Sequence, residues 1–200
     1  MRTTKKPVGR PRGFDPEEAL DRALKVFWRK GYEGTSLSDL TRAMGINRPS
    51  LYATFGDKQA LFFKVLDRYG EGTGSYLHTA LHEPTARAVA ERLLYSAADL
   101  LTNPATPPGC LMVQGALACG KAAEPIRREL ISKRADAQAA ILKRLRRARA
   151  EGDLPAGSDP SALARYLTAV NHGMSVAAAG GATRDELRQI ADIALRAWPK

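Results

Sequence analysis

Residues 36–61 read SLSDLTRAMGINRPSLYATFGDKQAL, and this segment carries the strongest structural signal in the 200-residue chain. Apolar residues recur at helical spacing on both sides of Gly45, where the missing Cβ allows the backbone to turn sharply. We expect Thr35 or Ser36 to cap the helix before this glycine, and Asn47 to cap the helix after it. A helix, a tight glycine turn and a second helix together predict a helix-turn-helix, the unit that places its second helix in the DNA major groove.

The second helix of this motif offers polar side chains where base edges can be read. Its apolar residues are expected to face inward and to fix the crossing with the first helix. The polar residues that remain on the outer surface are Asn47, Arg48, Ser50 and Thr54. All of them can donate hydrogen bonds to a base edge. The alternative is a helical hairpin whose polar residues only cap and solvate it, and the pattern alone leaves both interpretations open.

Helical spacing of apolar residues continues along the chain, and no strand-like alternation of useful length interrupts it. The sequence therefore predicts an all-α protein of about nine helices. The first helix is expected to begin at Asp15, with Pro16 in its first turn, and to end at Gly31. The helices after the helix-turn-helix are predicted at 57–69, 86–101, 110–119, 125–150, 160–178 and 184–198. The glycine-rich residues 70–84 are predicted to be a break between helices.

The charge balance favours an anionic partner. The chain has 31 Lys and Arg residues against 21 Asp and Glu residues, which gives a net charge of +10. The surplus is concentrated in residues 1–14 and 127–149, and nucleic acid is the leading candidate for the partner. The second block lies in a predicted helix among apolar residues, so a solvated outer face is preferred there over a second DNA surface.

The composition also excludes several classes of protein. The chain has neither an apolar run of roughly 18 residues that would span a membrane nor the apolar segment of a secretory signal, so we expect a cytoplasmic protein. Cys110 and Cys119 form no CxxC pair, and His78 and His82 lack a nearby third ligand. We therefore expect no metal or other cofactor. The absence of a Ser-His-Asp set and of a glycine-rich phosphate loop argues against an enzyme.

The motif and the residues around it resemble one known family. Residues 15–66 resemble the DNA-binding domain of the TetR family of one-component bacterial repressors. The similarity rests on the Gly-Tyr and Thr-Ser pairs at 31–32 and 35–36 and on the run GINRPSLYATFGDKQAL at 45–61. The rest of the chain matches the family in size and helix number. Thr41 departs from the family, which mostly has alanine there, so a slightly altered helix crossing is expected.

The resemblance implies a domain order. Residues 1–14 would form a basic arm similar to an AT-hook, residues 15–60 the helix-turn-helix DNA-binding domain, and residues 61–200 a helical ligand-binding and dimerisation domain. In the arm, glycine and proline keep the Gly-Arg-Pro-Arg core narrow and extended, so that Arg10 and Arg12 can enter the minor groove of A·T-rich DNA. The alternative is a basic leader that only raises non-specific affinity.

The resemblance also implies which residues touch DNA. Thr35, Ser36, Tyr52 and Lys58 would hold phosphates, and Arg42 is a weaker candidate for the same role. Base reading would fall to Asn47, Arg48 and Ser50. Arg48 is the best candidate because a guanidinium can bind the guanine edge with two hydrogen bonds, although one more phosphate contact is the alternative. The complete candidate set is Arg10, Arg12, Thr35, Ser36, Arg42, Asn47, Arg48, Pro49, Ser50, Tyr52, Thr54 and Lys58.

The larger domain is expected to hold the dimer interface and an effector site. The resemblance places the dimer interface on the last two helices, where Leu163, Leu167, Val170, Leu187, Ile190 and Leu195 supply apolar surface or equally well the core of one chain. The candidate effector-binding residues are Phe62, Leu66, Tyr95, Cys110, Met112, Val113, Leu117, Asn171 and Met174. Each of these also suits an ordinary core position. Cys110, at a predicted helix N-terminus, is either a reactive thiol or a small buried apolar residue.

These features predict a sequence-specific transcriptional regulator, a homodimeric repressor that binds a palindromic operator in double-stranded DNA and is released by a small-molecule effector. A dimer is expected because one short recognition helix reads too few base pairs to be specific. The alternative is an architectural DNA protein that uses the basic arm without choosing a sequence. Equal affinity for unrelated A·T-rich duplexes would favour that alternative.

Overall fold

The structure, a computed structural model, describes residues 13–117 and 123–199. Within those ranges the chain forms ten α-helices and a short 3-10 turn and contains no strand, so the predicted all-α class is confirmed. The helices are α1 Pro16–Lys30, α2 Leu37–Met44, α3 Arg48–Phe55, α4 Lys58–Glu71, α5 Tyr76–Leu81, α6 Ala86–Leu101, α7 Leu111–Leu117, α8 Glu124–Ala150, α9 Pro160–Ala179 and α10 Arg184–Arg196.

Capping residues set the ends of the first helices where the sequence predicts them. Asp15 accepts a hydrogen bond from the backbone N–H of Glu17 at 2.8 Å and caps α1, which ends at Gly31. Asp57 caps α4 through the backbone N–H of Ala60, also at 2.8 Å. These caps satisfy backbone donors that the first turn of a helix leaves without partners.

Helix α5 lies inside the segment 70–84, which the sequence predicted as a break, and it raises the helix number from about nine to ten in the described residues. Ala80 is completely buried there, and Tyr76, Leu77 and Leu81 pack against the same core as α6. Six residues are too few for a helix to be stable alone, so tertiary packing stabilises α5. The glycines before it obscured this helix in the sequence.

The segment predicted as a helix at 110–119 begins one residue later in the structure. Helix α7 starts at Leu111, and Cys110 precedes it and accepts hydrogen bonds from the backbone N–H groups of Val113 and Gln114. Cys119 lies outside the described residues.

Two hydrophobic clusters organise the helices. The first gathers the inner faces of α1 to α4 and includes Leu111 of α7 and Ile126 and Leu130 of α8. The second is formed by α5, α6, α8, α9 and α10. Helices α7 and α8 therefore pack against the helix-turn-helix unit as well as against the larger bundle.

Polar contacts fasten α1 to its neighbours. The guanidinium of Arg68 on α4 donates two hydrogen bonds to Asp21, at 2.8 and 3.0 Å, and it holds the pKa of that carboxyl below its usual value. The indole N–H of Trp28 donates to the buried carbonyl of Gly109 at 3.2 Å. The ring of Trp28 also packs edge-on against Tyr69, with the ring centroids 4.9 Å apart. Helix α1 is thereby bound to α4 and to the loop before α7.

Candidate nucleic-acid interface and internal cavity

The turn between α2 and α3 has the geometry that the sequence predicts. Gly45 adopts φ 69° and ψ 29°, a left-handed conformation that favours glycine. Its N–H and that of Ile46 both bond to the carbonyl of Thr41, and the side chain of Ile46 packs against the first cluster. Asn47 then caps α3, because its Oδ1 accepts from the backbone N–H of Ser50 at 2.8 Å. The two helices are therefore held in a helix-turn-helix.

Helix α2 begins with a reciprocal cap formed by Ser36 and Asp39. The hydroxyl of Ser36 accepts from the backbone N–H of Asp39 at 3.0 Å, and the Asp39 carboxylate accepts from the backbone N–H of Ser36, also at 3.0 Å. Lys30 of α1 binds the same carboxylate at 2.8 Å. The hydrogen bond from Lys30, followed by those from Ser36, holds the pKa of Asp39 well below its usual range.

Thr35 and Ser36, which the family resemblance implies as a pair of phosphate ligands, lie in different surroundings. Ser36 is exposed at the start of α2. Thr35 is 1% exposed, and its hydroxyl donates to the carbonyl of Gly31 at 2.6 Å. The Thr35 side chain thus fixes the loop between α1 and α2 and faces away from the surface on which Ser36 lies.

Helix α3 presents an outward face next to the turn. Asn47, Arg48, Pro49 and Tyr52 are exposed and Ser50 is half-buried, while Leu51 and Phe55 are buried against the first cluster. Arg48 donates to the hydroxyl of Ser38 on α2 at 3.2 Å and has no carboxylate partner among the described residues. Its charge is therefore available to an anionic or acceptor-rich partner.

Lys58 stands at the first position of α4, where the helix dipole disfavours a cation. Its ammonium lies 4.4 Å from the centre of the Tyr32 ring, and partial burial lowers its pKa. Arg42 is exposed in the last turn of α2. A phosphate would satisfy the Lys58 ammonium better than the helix end does.

Thr54 lies on a different flank of α3 from Arg48. It lines a surface depression between α1, α3 and α4 whose other residues include Glu17, Asp67 and Glu71. Lys64 and Arg68 line the depression as well, so its carboxylates outnumber its cations by one, which disfavours a phosphate. Thr41, where the family mostly has alanine, donates its hydroxyl within α2 to the carbonyl of Leu37 at 3.0 Å. Arg10 and Arg12 lie outside the described residues.

The second basic block, residues 127–149 on α8, is largely bound within the chain. Arg128 pairs with Glu124 at 3.0 Å, and Lys133 pairs with Asp67 at 2.7 Å. Arg144 and Arg149 donate to backbone carbonyls of the neighbouring loops. Most of the block thus makes contacts within the fold, although the hydrogen bonds to carbonyls leave the charges of Arg144 and Arg149 without a counterion in the described residues.

A cavity of about 90 Å³ lies between α4, α5, α6, α7, α8 and α9. Four predicted effector-binding residues line it, namely Cys110, Met112, Val113 and Asn171. The described lining also contains residues that the sequence did not single out for this role, among them Tyr69, Tyr76, Lys133, Arg134, Thr168 and His172.

The other predicted effector-binding residues lie elsewhere. Phe62 and Leu66 are completely buried in the first cluster, and Met174 is completely buried in the second. Leu117 is the last residue of α7. The placement of Tyr95 corrects the sequence prediction, because its hydroxyl donates to Asp192 of α10 at 2.6 Å and its ring lies under Arg188, on the side of α6 away from the cavity.

Hydrogen bonds tie α9 to α5 and to the start of α7 beside the cavity. Tyr76 and Asn171 bond to each other at 3.0 to 3.2 Å, which ties α5 to α9. Burial, and then the neighbouring Cys110 thiol, raises the pKa of both Tyr69 and Tyr76. The backbone N–H of Cys110 donates to the hydroxyl of Ser175 at 2.8 Å, which fixes the start of α7 against α9.

Two family models match the chain. Residues 19–65 match bacterial regulatory proteins of the tetR family, and residues 88–194 match the tetracyclin repressor-like C-terminal domain. The HTH-type transcriptional repressor ComR of Escherichia coli K12 is 36% identical over 198 residues, which cover 98% of this chain and 94% of ComR. The chain belongs to the TetR family.

Other relatives agree with this placement. The HTH-type transcriptional regulator YezE of Bacillus subtilis 168 is 32% identical over 190 residues, covering 94% of this chain and 98% of YezE. A cysteine-mutant structure of the TetR family transcriptional regulator CifR, complexed with 26-base-pair double-strand operator DNA, has a TM-score of 0.92 and 41% identity, and it covers 96% of this chain and 100% of that one. This TetR-family chain is accordingly a DNA-binding transcriptional regulator and not an enzyme.

The last two helices of this TetR-family chain bury most of the apolar residues that the sequence offered for a dimer interface. Of the apolar residues considered for a dimer interface, Leu167, Leu187 and Leu195 are buried in the second cluster, and Leu163 and Val170 pack against it. Ile190 is 37% exposed. Val176 and Ile193, which the sequence did not single out, are 50% and 60% exposed. The exposed apolar surface of α9 and α10 therefore lies at Val176, Ile190 and Ile193.

The histidines carry no metal site in the described residues. His78 and His82 lie at the end of α5 with their ring centroids 4.6 Å apart, and no group of three or more His, Cys, Asp or Glu residues is placed to hold a metal ion in the described ranges. Among the same residues, no helix combines the length and the apolar character that crossing a membrane requires.

The cavity residues that sequence reasoning missed do carry a signal. Thr168, Asn171 and His172 occur at i, i+3 and i+4 and so share one face of α9. Tyr76 was missed because its helix was not predicted.

Proposed function

We propose that this TetR-family regulator represses transcription by binding a palindromic operator as a homodimer, and that a small molecule in the internal cavity releases it. The observation that carries the proposal is the outward face of α3, where the exposed Arg48 has no carboxylate partner among the described residues. The operator-bound CifR structures, which share 41% identity with this chain, support the DNA-binding part of the proposal.

The residues of the interface would divide into two roles. Arg48, Asn47 and Ser50 would read base edges, and Asn47 has its amide N–H group free to donate because its oxygen caps α3. Ser36, Arg42, Tyr52 and Lys58 would hold phosphates and set the position of α3 in the groove. Pro49 lies on the same outward face. The placements of Thr35 and Thr54 give less support to their predicted DNA contacts.

The dimer would form through α9 and α10. Val176, Ile190 and Ile193 expose branched apolar side chains there, and apolar residues exposed together on two adjacent helices favour an interface with a second subunit. A twofold axis through these helices would present two copies of α3 to successive turns of the operator.

The cavity would communicate with the DNA-binding helices through α4. Tyr69 of α4 lines the cavity and packs against Trp28 of α1, which in turn binds the carbonyl of Gly109 beside Cys110. An effector that favoured a different position of Tyr69 would shift α1 and α4 and change the separation of the two α3 helices.

The domain order is part of the same proposal. We infer an arm at 1–14 that enters the minor groove, a DNA-binding domain at 15–60 and an effector and dimerisation domain at 61–200. The proposed boundary at 60 falls within α4, which supports a role for that helix in joining the two functions. The regulator would act in the cytoplasm, where its DNA target lies.

Selection of bound sequences from a random pool of DNA duplexes tests the proposal. We expect the selected sequences to share a palindrome, because two copies of α3 related by a twofold axis read inverted half-sites. Recovery of A·T-rich duplexes without a common palindrome would contradict the repressor and support an architectural DNA protein. A single unrepeated motif would contradict the homodimer.

A further inference from the structure

The charges around the internal cavity are unbalanced. Its described lining contains Lys133, Arg134 and His172, and none of the described lining residues is Asp or Glu. Lys133 is paired, since its ammonium lies 2.7 Å from Asp67 and 3.5 Å from Glu129. Arg134 has no carboxylate within ion-pair distance in the described residues, and its Nε donates only to the carbonyl of Leu130 at 3.3 Å. The positive charge of Arg134 is therefore left without a counterion at the cavity wall.

A hydroxyl beside this arginine also lacks a partner. The Thr168 Oγ1 is buried and has no hydrogen-bond partner within the described structure. A buried hydroxyl without a hydrogen-bond partner destabilises the protein, because it has lost its bonds to water. A ligand atom that accepted a hydrogen bond from it would remove this penalty. Thr168, Arg134 and His172 line both the cavity and an outer groove between α8 and α9, so the three residues form the wall that separates the two spaces.

The positive charge acts on the imidazole of His172. Burial lowers the pKa of His172, and the charge of Arg134 lowers it further. The other charged or titratable groups around this end of the cavity are Lys133 on α8, Tyr69 on α4, Tyr76 on α5, Cys110 before α7, and Arg165 on α9 at the groove side. No carboxylate lines this end of the cavity in the described residues, so an anion is the missing partner.

The opposite part of the cavity is apolar. Leu93 and Ile141 are buried in the second cluster, and Leu77 packs against it. A volume of about 90 Å³ admits a small molecule and excludes a long chain or a fused ring system. The hydroxyl of Tyr76 already has a hydrogen-bond partner in Asn171 and does not need one from a ligand.

We propose that the effector of this regulator is a small carboxylate. Its anionic group lies among Arg134, Thr168 and His172, and its apolar part lies against Leu77, Leu93 and Ile141. The inference deepens the proposed function and rests on it, because it names the chemical class of the molecule that occupies the cavity.

Binding of matched carboxylates and amides to the free protein tests this proposal. The probes are sodium acetate with acetamide, and sodium benzoate with benzamide, at constant ionic strength. The full-length protein carries isotope-labelled histidine, and a His172→Gln variant assigns the His172 resonance among the three histidines. We expect at least one carboxylate to shift the His172 resonance saturably and to raise the pKa of His172, because a nearby anion favours the charged imidazolium, whereas its amide does neither.

Three variants locate the anion. Arg134→Gln should weaken carboxylate binding about 10-fold or more, because it removes the charge-assisted contact. Arg165→Gln, on the facing helix and already near Asp159, is the matched control and should leave the affinity within about 2-fold. Thr168→Val should weaken binding several-fold while leaving the unfolding midpoint unchanged or higher, since it removes a hydroxyl that has no partner. A merely structural role for Thr168 predicts a lower midpoint instead.

The proposal is overturned if each amide shifts His172 as much as its carboxylate does, or if neither carboxylate shifts it. It is also overturned if Arg134→Gln and Arg165→Gln weaken binding equally, because the contact would then be general attraction to a basic surface. These measurements use the protein without DNA, so their failure leaves operator binding intact. Failure of the DNA selection would in turn leave carboxylate binding unaffected.

Discussion

Arg48 and Lys58 are both cations beside the helix-turn-helix, but their surroundings give them different tasks. Arg48 lies on the exposed outward face of α3 and is steadied by the hydroxyl of Ser38. A guanidinium held at the start of a recognition helix can bind one base pair with two hydrogen bonds. Lys58 stands on α4 over the Tyr32 ring, and an ammonium there acts as a point charge for a phosphate.

We predict that Arg48→Ala lowers operator affinity by roughly 1 to 3 kcal/mol and relaxes the choice of base at one position, because a base contact carries sequence information. Lys58→Ala should weaken binding to operator and unrelated DNA by the same factor, since phosphates are common to both. Competition binding with the operator and its single-base variants measures both effects. Lys64→Ala, an exposed lysine on the same helix, is the control and should bind like the unmodified protein.

The assignment of base reading to Arg48 is wrong if its loss weakens all duplexes equally. In that case the arginine is one more phosphate ligand, and the choice of sequence rests with Asn47 and Ser50.

Gly109, in the loop before α7, is a position where the backbone conformation and the close packing both require glycine. It adopts φ +80°, and a Cβ built there would collide with the side chain of Gln114 and lie 2.9 Å from the carbonyl oxygen of Ser175. Its own carbonyl accepts from Trp28. This glycine thus allows α1, α7 and α9 to meet.

Replacement of Gly109 by alanine should reduce the free energy of unfolding by about 2 kcal/mol or more, because the left-handed backbone and the contact with the Ser175 backbone are both unfavourable for a side chain. Gly157→Ala is the control, since a Cβ at Gly157 meets nothing within 4 Å. Urea unfolding of the two variants measures the difference. Equal stabilities would show that the loop before α7 relaxes without loss of packing.

At the scale of elements, the helix-turn-helix was predictable because its signals are local. Capping residues and Gly45 act within a few positions of themselves, and the structure places them as the sequence predicts. Helix α5 and the cavity were not predictable in the same way. Tyr76 forms a hydrogen bond with Asn171, which is 95 residues away in the sequence, and no pattern within α5 predicts that contact.

The apolar stripes of α9 and α10 show the same limit. Apolar spacing marks which faces avoid water but does not say whether the core or a second subunit covers them. Burial separates the two, since Leu167 and Leu187 are completely buried while Ile193 is 60% exposed.

We predict that Ile193→Lys disrupts the dimer without unfolding the subunit, because a charge on an exposed position costs the monomer little but would be buried between subunits. The dissociation constant should rise about 30-fold or more in sedimentation equilibrium. Ile131→Lys, an exposed isoleucine on α8, serves as the control. An unchanged dimer in Ile193→Lys, or equal dissociation of both variants, would contradict an interface centred on α9 and α10.

At the scale of the whole molecule, the net charge of +10 is distributed unevenly along the chain. Much of the basic block on α8 is bound to carboxylates and backbone carbonyls of the same chain. The arm that precedes the helix-turn-helix domain in the sequence is different, because it carries Arg2, Lys5, Lys6, Arg10 and Arg12 without an acidic residue before Asp15.

Deletion of residues 1–13 tests how the arm uses that charge. If Arg10 and Arg12 enter a minor groove, the deletion should weaken binding most when A·T-rich DNA flanks the operator, because the minor groove is narrow and most negative there. Affinity should also depend less steeply on salt, since fewer counterions are released when fewer phosphates are neutralised. A merely basic leader predicts the shallower salt dependence alone. Salt titrations of the full-length and shortened proteins, on operators with A·T-rich and with G·C-rich flanks, distinguish the two explanations. An equal loss of affinity on both kinds of flank would exclude the minor-groove role of the arm. It would not bear on operator binding by α3.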